Sequence, residues 1–565
     1  MSLFSTIQQS ANSLQVNQLG LHVVGNNISN ANTPGYSRQE LVQTPAVTSK
    51  YGDVIVGNGV RAVGVVQKLD AYGVERLRQT ESALAASEAQ GTMYRQMESI
   101  FGELTDNDLS SKIAEFSDSI NDLLNQPGND ALRRMVIERG NTLTGNIRSV
   151  SQQLGDISAN LNQEVKGAAS EINRYTQQIA KLNQRIVEIE GGRTSGSDAA
   201  GLRDERLQAL QELSKVVDVR AVEQNSGAVT VFVGGDYLVA DGIQRQVTYA
   251  LRTDGDKTAP EIRLADTDSP LQVSGGRLQG LYAAREEGVG KVSDDLDQFA
   301  RNLIEQFNRI HTQGQGVDGF SEITGSFASD DRTAPLDLSG LPIEIKNGDF
   351  KISVLDKASG TTKTSTIRVK LTGGTSDTTL VDVAQAINDV SGVSASITAE
   401  GKLRISADSD SLRFSFQDDN TGILAATGIN TFFIGDSAST IGLNPVIANN
   451  PRLFAGSLTG VGSGTGNALK LTQAFDEPVE GLNGQSIKQA YEKLVVRMTQ
   501  DVNVQAGVSD GLKNFYNTIQ AQNLATSGVN LDEEAVKMLF YQRAFQASSR
   551  LIQASSELLD TLVNL

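Results

Sequence analysis

Residues 1–40 read MSLFSTIQQSANSLQVNQLGLHVVGNNISNANTPGYSRQE. Ile7, Leu14, Leu21 and Ile28 recur at sevens, and Leu3, Phe4, Ala11 and Val24 fill the same face. A 3.5-residue repeat predicts a helix that packs on another helix rather than on a sheet. The opposite face is polar and almost uncharged. No lysine or arginine precedes Arg38, and no acid precedes Glu40. Charges are the ordinary route to a soluble surface. A helix without them is expected to lie buried among copies of itself, where every charge would face its own repeat. Asn26, Asn27, Asn30 and Asn32 compete with the helical backbone and mark its end. Thr33-Pro34-Gly35-Tyr36 then reads as a tight turn, with Pro fixing φ at its second position and Gly supplying a positive φ at its third.

The far end has the same character. SGVNLDEEAVKMLFYQRAFQASSRLIQASSELLDTLVNL, residues 527–565, offers Asn530 as a helix cap and Asp532, Glu533 and Glu534 in the first turn. A heptad follows, with Ala544, Leu551, Leu558 and Leu565 at one core position and Phe540, Ala547 and Ala554 at the other. Two amphipathic helices at opposite ends of the chain are expected to be partners in one coiled coil, completed by neighbouring molecules.

At this point a resemblance becomes specific. GNNISNANTPGYSRQ, residues 25–39, resembles the N-terminal motif of the flagellar axial proteins. With Thr33-Pro34-Gly35-Tyr36-Ser37-Arg38-Gln39 it is similar to the hook-associated branch that joins hook to filament. Rod and hook proteins read closer to T-G-F-K here. The run from Ser527 to Leu565 resembles the same family, as does the LRDERLQALQELS segment at 202–214. The resemblance implies a structural, non-enzymatic protein. Its assembly interface would be Leu3, Ile7, Leu14, Leu21, Ile28, Phe540, Ala544, Ala547, Leu551, Ala554, Leu558 and Leu565. Asn27, Asn32 and Thr33 to Tyr36 would form the turn motif. It further implies several partners: other copies in a ring or helical layer, the hook protein, a second hook–filament junction protein, and a cytoplasmic export chaperone covering Phe540 to Leu565. No cofactor is implied.

Composition sets limits of its own. A chain of 565 residues should hold about three or four domains. A net charge of −18 argues against nucleic acid and against anionic membrane as partners. With no cysteine, the fold relies on no disulfide. No apolar run approaches membrane-spanning length. The N-terminus lacks the basic segment and continuous apolar core of a secretory signal, so composition alone would place the chain in the cytoplasm. The resemblance implies instead export without cleavage through the flagellar apparatus.

Along the chain, Val42 to Gln67 changes to a two-residue period and reads as short strands. Helix returns from about Asp70, and again from about Ser110 to Asn125 before Gln126-Pro127-Gly128. From Asn129 to Glu190 apolar residues step by four and three from Leu143 to Ile189. That pattern fits one long helix, with Gly145, Gly155 and Gly167 as possible bends, or two bundled helices with a turn between them. Arg203, Asp204, Glu205 and Arg206 are expected on a charged helix face opposite Leu202, Leu207, Leu210 and Leu213. Val216 to Ser274 alternates as a β unit. Helix resumes with the stripe Val292, Leu296, Phe299, Leu303, Phe307 and Ile310. Residues 319 to 461 read as an inserted strand–helix–hairpin module. The expected organisation is α+β and multidomain. It comprises a terminal helical assembly domain (1–45 and 525–565) and a helical bundle (46–215, 275–318 and 462–524). A β-rich outer domain (216–274) and an inserted α+β outer domain (319–461) complete it.

No constellation for catalysis emerges. His22 and His311 are far apart, and His311 reads as a solvated helix residue. Gly507-Val508-Ser509-Asp510-Gly511 fits GxSxG by letter but lacks the strand–turn–helix setting, and is expected to be an interhelical loop. GVGSGTG at 460–466 lacks the lysine of a phosphate loop and reads as a linker. Asp408, Asp410, Asp418 and Asp419 lack calcium-loop spacing and are expected to be solvated turn residues. Alternatives are another flagellar axial protein, or a secreted enzyme carried on a coiled-coil scaffold.

Overall fold

The computed structural model describes residues 3–51, 53–102, 108–191, 197–254, 257–374 and 376–563. Leu565 of the expected interface lies outside them. The architecture is α+β, with long helices at both chain ends and several small antiparallel sheets. Contacts divide it into two compact units.

The first unit comprises residues 1–93, 159–285 and 503–565. Its N-terminal helix runs Leu3–Ser29 and its C-terminal helix Leu531–Val563. Strands Gln39–Pro45 and Val60–Gln67 pair antiparallel, with a shift in register between Val42 and Gln43. The β unit expected after Val216 is a four-stranded sheet of Arg220–Glu223, Val229–Val233, Asp236–Ala240 and Ile243–Gln244, in chain order, and then a hairpin of Val247–Asp254 and Lys257–Leu264. The Asn225-Ser226-Gly227 turn places Gly227 at φ +88°, a backbone conformation that glycine adopts without a side-chain penalty.

The second unit comprises residues 94–158 and 286–502. Its core gathers phenylalanines from distant segments. Phe116 lies 5.4 to 5.8 Å from the rings of Phe307, Phe432, Phe433 and Phe475. His311 belongs to this core, which corrects the solvated reading. It is wholly buried, with Nδ1 2.8 Å from the Asn430 carbonyl and Nε2 accepting from the Ala455 amide. Burial lowers its pKa to about 4, so it is a neutral packing residue near neutral pH. The inserted segment forms two three-stranded sheets. One orders Thr362–Val369, Gly348–Asp356 and Leu412–Gln417; the other Glu322–Thr324, Leu403–Ala407 and Val393–Ile397. Helix Leu380–Asn388 is capped reciprocally by Thr379 and Asp382.

Residues Asp130–Glu190 form one helix of 61 residues, the first of the two readings that the four–three stepping fits. Two further expectations change. Gly507 to Gly511 lies inside helix Ile487–Ser527, not in a loop, because two glycines cost less there than a helix end would. Asp419 is buried rather than solvated: its carboxylate accepts from the amides of Thr421, Gly422 and Leu424. Asp418 beside it is an exposed turn residue at φ +52°.

Candidate assembly interface

The two terminal helices pack along each other, but on faces of unequal character. The N-terminal helix buries Ser10, Val16, Gly20, Val23, Val24 and Asn27. Val16, Gly20, Val23 and Asn27 run at a four–three–four spacing, and Val24 is the member of the sequence-read face that is buried with them. Leu3, Ile7, Leu14, Leu21 and Ile28 are only half-buried, and Phe4 and Ala11 are exposed. A Cβ on Gly20 would lie 2.6 Å from the Tyr541 ring, so glycine lets that ring sit against the helix. On the C-terminal helix the buried or half-buried positions include Glu534, Tyr541, Ser548 and Ser555, with Met538, Phe545, Ile552 and Leu559. Both sets repeat at seven. Each stands one residue, about 100° of helix rotation, from the heptad read in the sequence. Ser548 satisfies its hydroxyl on its own helix at the Ala544 carbonyl.

The heptad itself largely faces solvent. Phe540 is 66%, Leu551 54% and Leu558 57% exposed; Ala547 and Ala554 are exposed, and Ala544 is half-buried. Leu539 and Leu562 extend the apolar surface. A groove of about 780 Å³ opens between the outer side of the N-terminal helix at Phe4, Gln8, Asn12 and Gln15 and the strand residues Val60 and Ala62.

At one end of this helix pair lies a buried polar cluster. Tyr36 N–H donates to the Thr33 carbonyl at 3.2 Å, closing a β-turn in which Gly35 has φ +78°, the type II geometry expected from Pro-Gly. The turn directs Tyr36, Ser37 and Arg38 back toward the helix end. Asn27 is the hub. Its Nδ2 donates to the Gln39 carbonyl (2.9 Å) and to Glu534 Oε2 (3.0 Å); its Oδ1 accepts from Tyr36 Oη (2.8 Å) and the Gln39 amide (3.0 Å). Only an amide side chain has two donors and two acceptor sites in that arrangement. Burial, and after it the charges of Asp204 and Glu534, push the Tyr36 phenol up to about 12, so it stays a donor.

Arg38 is the first cation of the chain and it is buried. Its Nε donates to Glu534 Oε1 at 2.9 Å, and one terminal nitrogen lies 2.7 Å from Glu534 and 2.8 Å from Glu533. Burial opposes the charge, but the bonds to the two glutamates outweigh it and raise the pKa. The Glu534 side chain is 0% exposed. The Arg38 amide donates to the Ser527 carbonyl, and Asn530 caps the C-terminal helix at the Asp532 and Glu533 amides. Asn32, Thr33, Pro34 and Gly35 are themselves exposed.

Helix Ala200–Val216 supplies the third side. Asp204 Oδ1 accepts from the Ser37 amide (3.1 Å) and from Gln67 Nε2 (2.7 Å). Arg203 forks onto Glu190 at 2.7 and 2.9 Å and reaches Glu223 at 2.9 Å. Arg206 is buried and donates to Asn183 Oδ1 and the Gly227 carbonyl; burial lowers it to about 10. Of the expected charged face, Glu205 is exposed, whereas Arg203, Asp204 and Arg206 are turned to hold neighbouring segments. Glu534 and Asp204 were missed as ligands of the motif because three acids at a helix start read first as capping. The useful signal was a lone arginine after 37 residues without a cation.

Burial raises Asp204 to about 6, against the Ser37 and Gln67 bonds. A raised carboxyl favours the fold when protonated. Its contribution is full below the ordinary value of 3.8 and is lost as pH rises through about 6. Asp204→Asn keeps the Oδ1 acceptor and should remove that slope in urea unfolding between these pH values. Asp204→Ala, which strands the two donors, should cost about 1–3 kcal/mol. Parallel pH profiles for wild type and Asp204→Asn would refute the assignment.

With this geometry in view, four family models match the chain. They are "Flagellar hook-associated protein FlgK helical domain" at residues 94–327, "Flagellar basal body rod FlgEFG protein C-terminal" at 520–565, "Flagella basal body rod protein" at 7–36 and "Flagellin hook IN motif" at 357–409. Flagellar hook-associated protein 1 of Salmonella typhimurium is 25% identical across 99% of this chain and 100% of its own length. The chain is similar to flagellar hook-associated protein 1 over essentially its whole length. Relatives of the same name from Escherichia coli (24% identical, 99% of this chain, 100% of theirs) and Bacillus subtilis (22%, 100% and 98%) match similarly. The flagellar hook junction protein FlgK of Burkholderia pseudomallei shares the fold, at a TM-score of 0.50 and 15% identity, over 79% of this chain and 99% of that one. The two rod-protein models at the chain ends cover Asn27 to Tyr36 of the motif and Glu534. Among the described residues no helix is long and apolar enough to cross a membrane.

Proposed function

We propose that this chain is a structural subunit of the bacterial flagellum that joins hook to filament, self-assembling through its terminal helices. The observation that carries the reading is the uncommitted apolar heptad of the C-terminal helix. A stripe of Phe540, Leu551 and Leu558 left in solvent beside a satisfied seam is the mark of an interface still to be made. Full-length likeness to hook-associated protein 1 supports the hook–filament junction as the place where it is made. The half-buried Leu3, Ile7, Leu14, Leu21 and Ile28 supply the complementary stripe on a neighbouring copy. Residues 1–45 and 525–565 act as the assembly domain and 46–215, 275–318 and 462–524 as the helical bundle. Modules 216–274 and 319–461 project outward. Hook protein and a second junction protein are the axial neighbours. A cytoplasmic export chaperone covers the same apolar stripe before the chain leaves through the flagellar export apparatus.

Deletion followed by electron microscopy tests the reading. Bare hooks, with filament subunits released to the medium, are the expected result; normal filaments would overturn it. The turn has its own test. A Cβ at Gly35 meets nothing closer than Gln208 Cβ at 3.8 Å, so crowding is absent and only φ +78° opposes a side chain. Gly35→Val should cost about 1–3 kcal/mol and reduce motility by misdirecting Tyr36 and Arg38. Unchanged motility and unfolding midpoint would remove the turn's role.

A further inference from the structure

A cavity of about 500 Å³ opens beside helix Ala200–Val216, and its charged lining is mostly cationic. Arg78, Arg203, Arg206 and Arg220 face Glu75 and Glu223 across it. In a chain of net charge −18, this is a local reversal of sign. The glutamates leave Arg78 and Arg206 incompletely satisfied. Arg203 is fully engaged by Glu190 and Glu223. Arg206 has only Asn183 and the Gly227 carbonyl, both on one nitrogen, and its other terminal nitrogen lies 3.9 Å from Glu223, too far for a hydrogen bond. Arg78 is 6% exposed; it reaches Glu75 through one terminal nitrogen, while its Nε is buried with no acceptor. Arg220 is exposed at the rim.

Buried donors without acceptors, and a buried cation without a close anion, each cost several times what a surface group would. A phosphate or carboxylate group has the planar or tetrahedral array of acceptor oxygens that guanidinium groups bind in pairs. We propose that this cavity binds a small oxyanion, with Arg78 and Arg206 as its inner ligands and Arg220 at its mouth. The oxyanion is either free in solution or the side-chain carboxylate of a second, acidic copy of the chain.

The experiment uses the full chain and inorganic phosphate. Thermal unfolding in phosphate, against sodium chloride at equal ionic strength, should show a saturable rise in midpoint. Arg78→Gln should weaken the phosphate effect roughly tenfold or more, because a charge-assisted bond is lost. Arg220→Gln, which touches only the rim, should weaken it by a smaller factor and leave the fold intact if Arg78→Gln does not. Sedimentation distinguishes the sources. Phosphate that binds without changing the mass of the species identifies a free anion. Phosphate that disperses self-associated chains, an effect reproduced by Arg220→Gln, identifies an acidic side chain of a neighbour. No saturable response beyond chloride, or a response that both substitutions leave unchanged, would overturn the proposal.

Discussion

Arg38→Ala should destabilise the terminal helix pair by about 3–5 kcal/mol, the typical cost of removing one partner from a buried ion pair. Glu534 would remain wholly enclosed, with Asn27 Nδ2 as its strongest remaining donor. Lys537, 3.6 Å away, is half-exposed and on the same helix, so it cannot fill the space that Arg38 leaves. The loss should appear in hydrogen exchange as faster opening of residues 531–548 and of the Gln39–Pro45 strand. Both depend on the same cluster. Glu534→Ala should cost somewhat less, because Arg38 retains Glu533 at 2.8 Å. The double variant Arg38→Met with Glu534→Leu should regain most of the loss, since apolar pairs of similar volume often replace buried ion pairs without penalty. Additive losses in the double variant would show that the two side chains act separately.

Leu551→Asp should leave the isolated chain within about 0.5 kcal/mol of wild type and yet abolish assembly. The first half follows from exposure: Leu551 is 54% exposed and stands outside the seam that holds the two helices together. Surface substitutions away from caps and buried networks have effects of that size. The second half follows from repetition. A single carboxylate in a heptad interface recurs at every copy, and each would be buried against an apolar stripe at a cost of several kcal/mol. Cells carrying the variant should build hooks, fail to hold filaments and release filament subunits. Normal filaments, or a chain that no longer folds, would each sink the assignment of this stripe to the interface between copies.

Much of this was legible from residues alone. The heptads at both ends, the Pro-Gly turn, the Asn530 cap, the long helix and the β unit after Val216 all rest on local periodicity and turn chemistry. Those act within a few residues and survive without knowledge of the partner. The α+β class and the resemblance to flagellar axial proteins followed from the same segments. What periodicity cannot supply is phase relative to a partner. The C-terminal helix carries two adjacent stripes of period seven, 540/544/547/551 and 541/545/548/552, and the more apolar one was read as the seam. The tertiary structure gives the in-chain contact to the other, where Gly20 and Ser548 allow close approach and Glu534 meets Arg38.

Buried polar residues were misread for a related reason. Composition assigns Arg206, His311 and Asp419 to solvent because ionisable groups are seldom fully buried. Arg206 and His311 are enclosed because groups from other segments meet their hydrogen-bonding atoms, and Asp419 because amides two to five residues on close over its carboxylate. Those encounters span up to 144 residues for His311 and 496 for Arg38 with Glu534. The sequence by itself determined which segments are helix, turn and strand, and that both ends would pair. Only the tertiary structure decided which face pairs within the chain and which remains outside, because that choice depends on close approach and charge pairing between residues that the sequence keeps far apart.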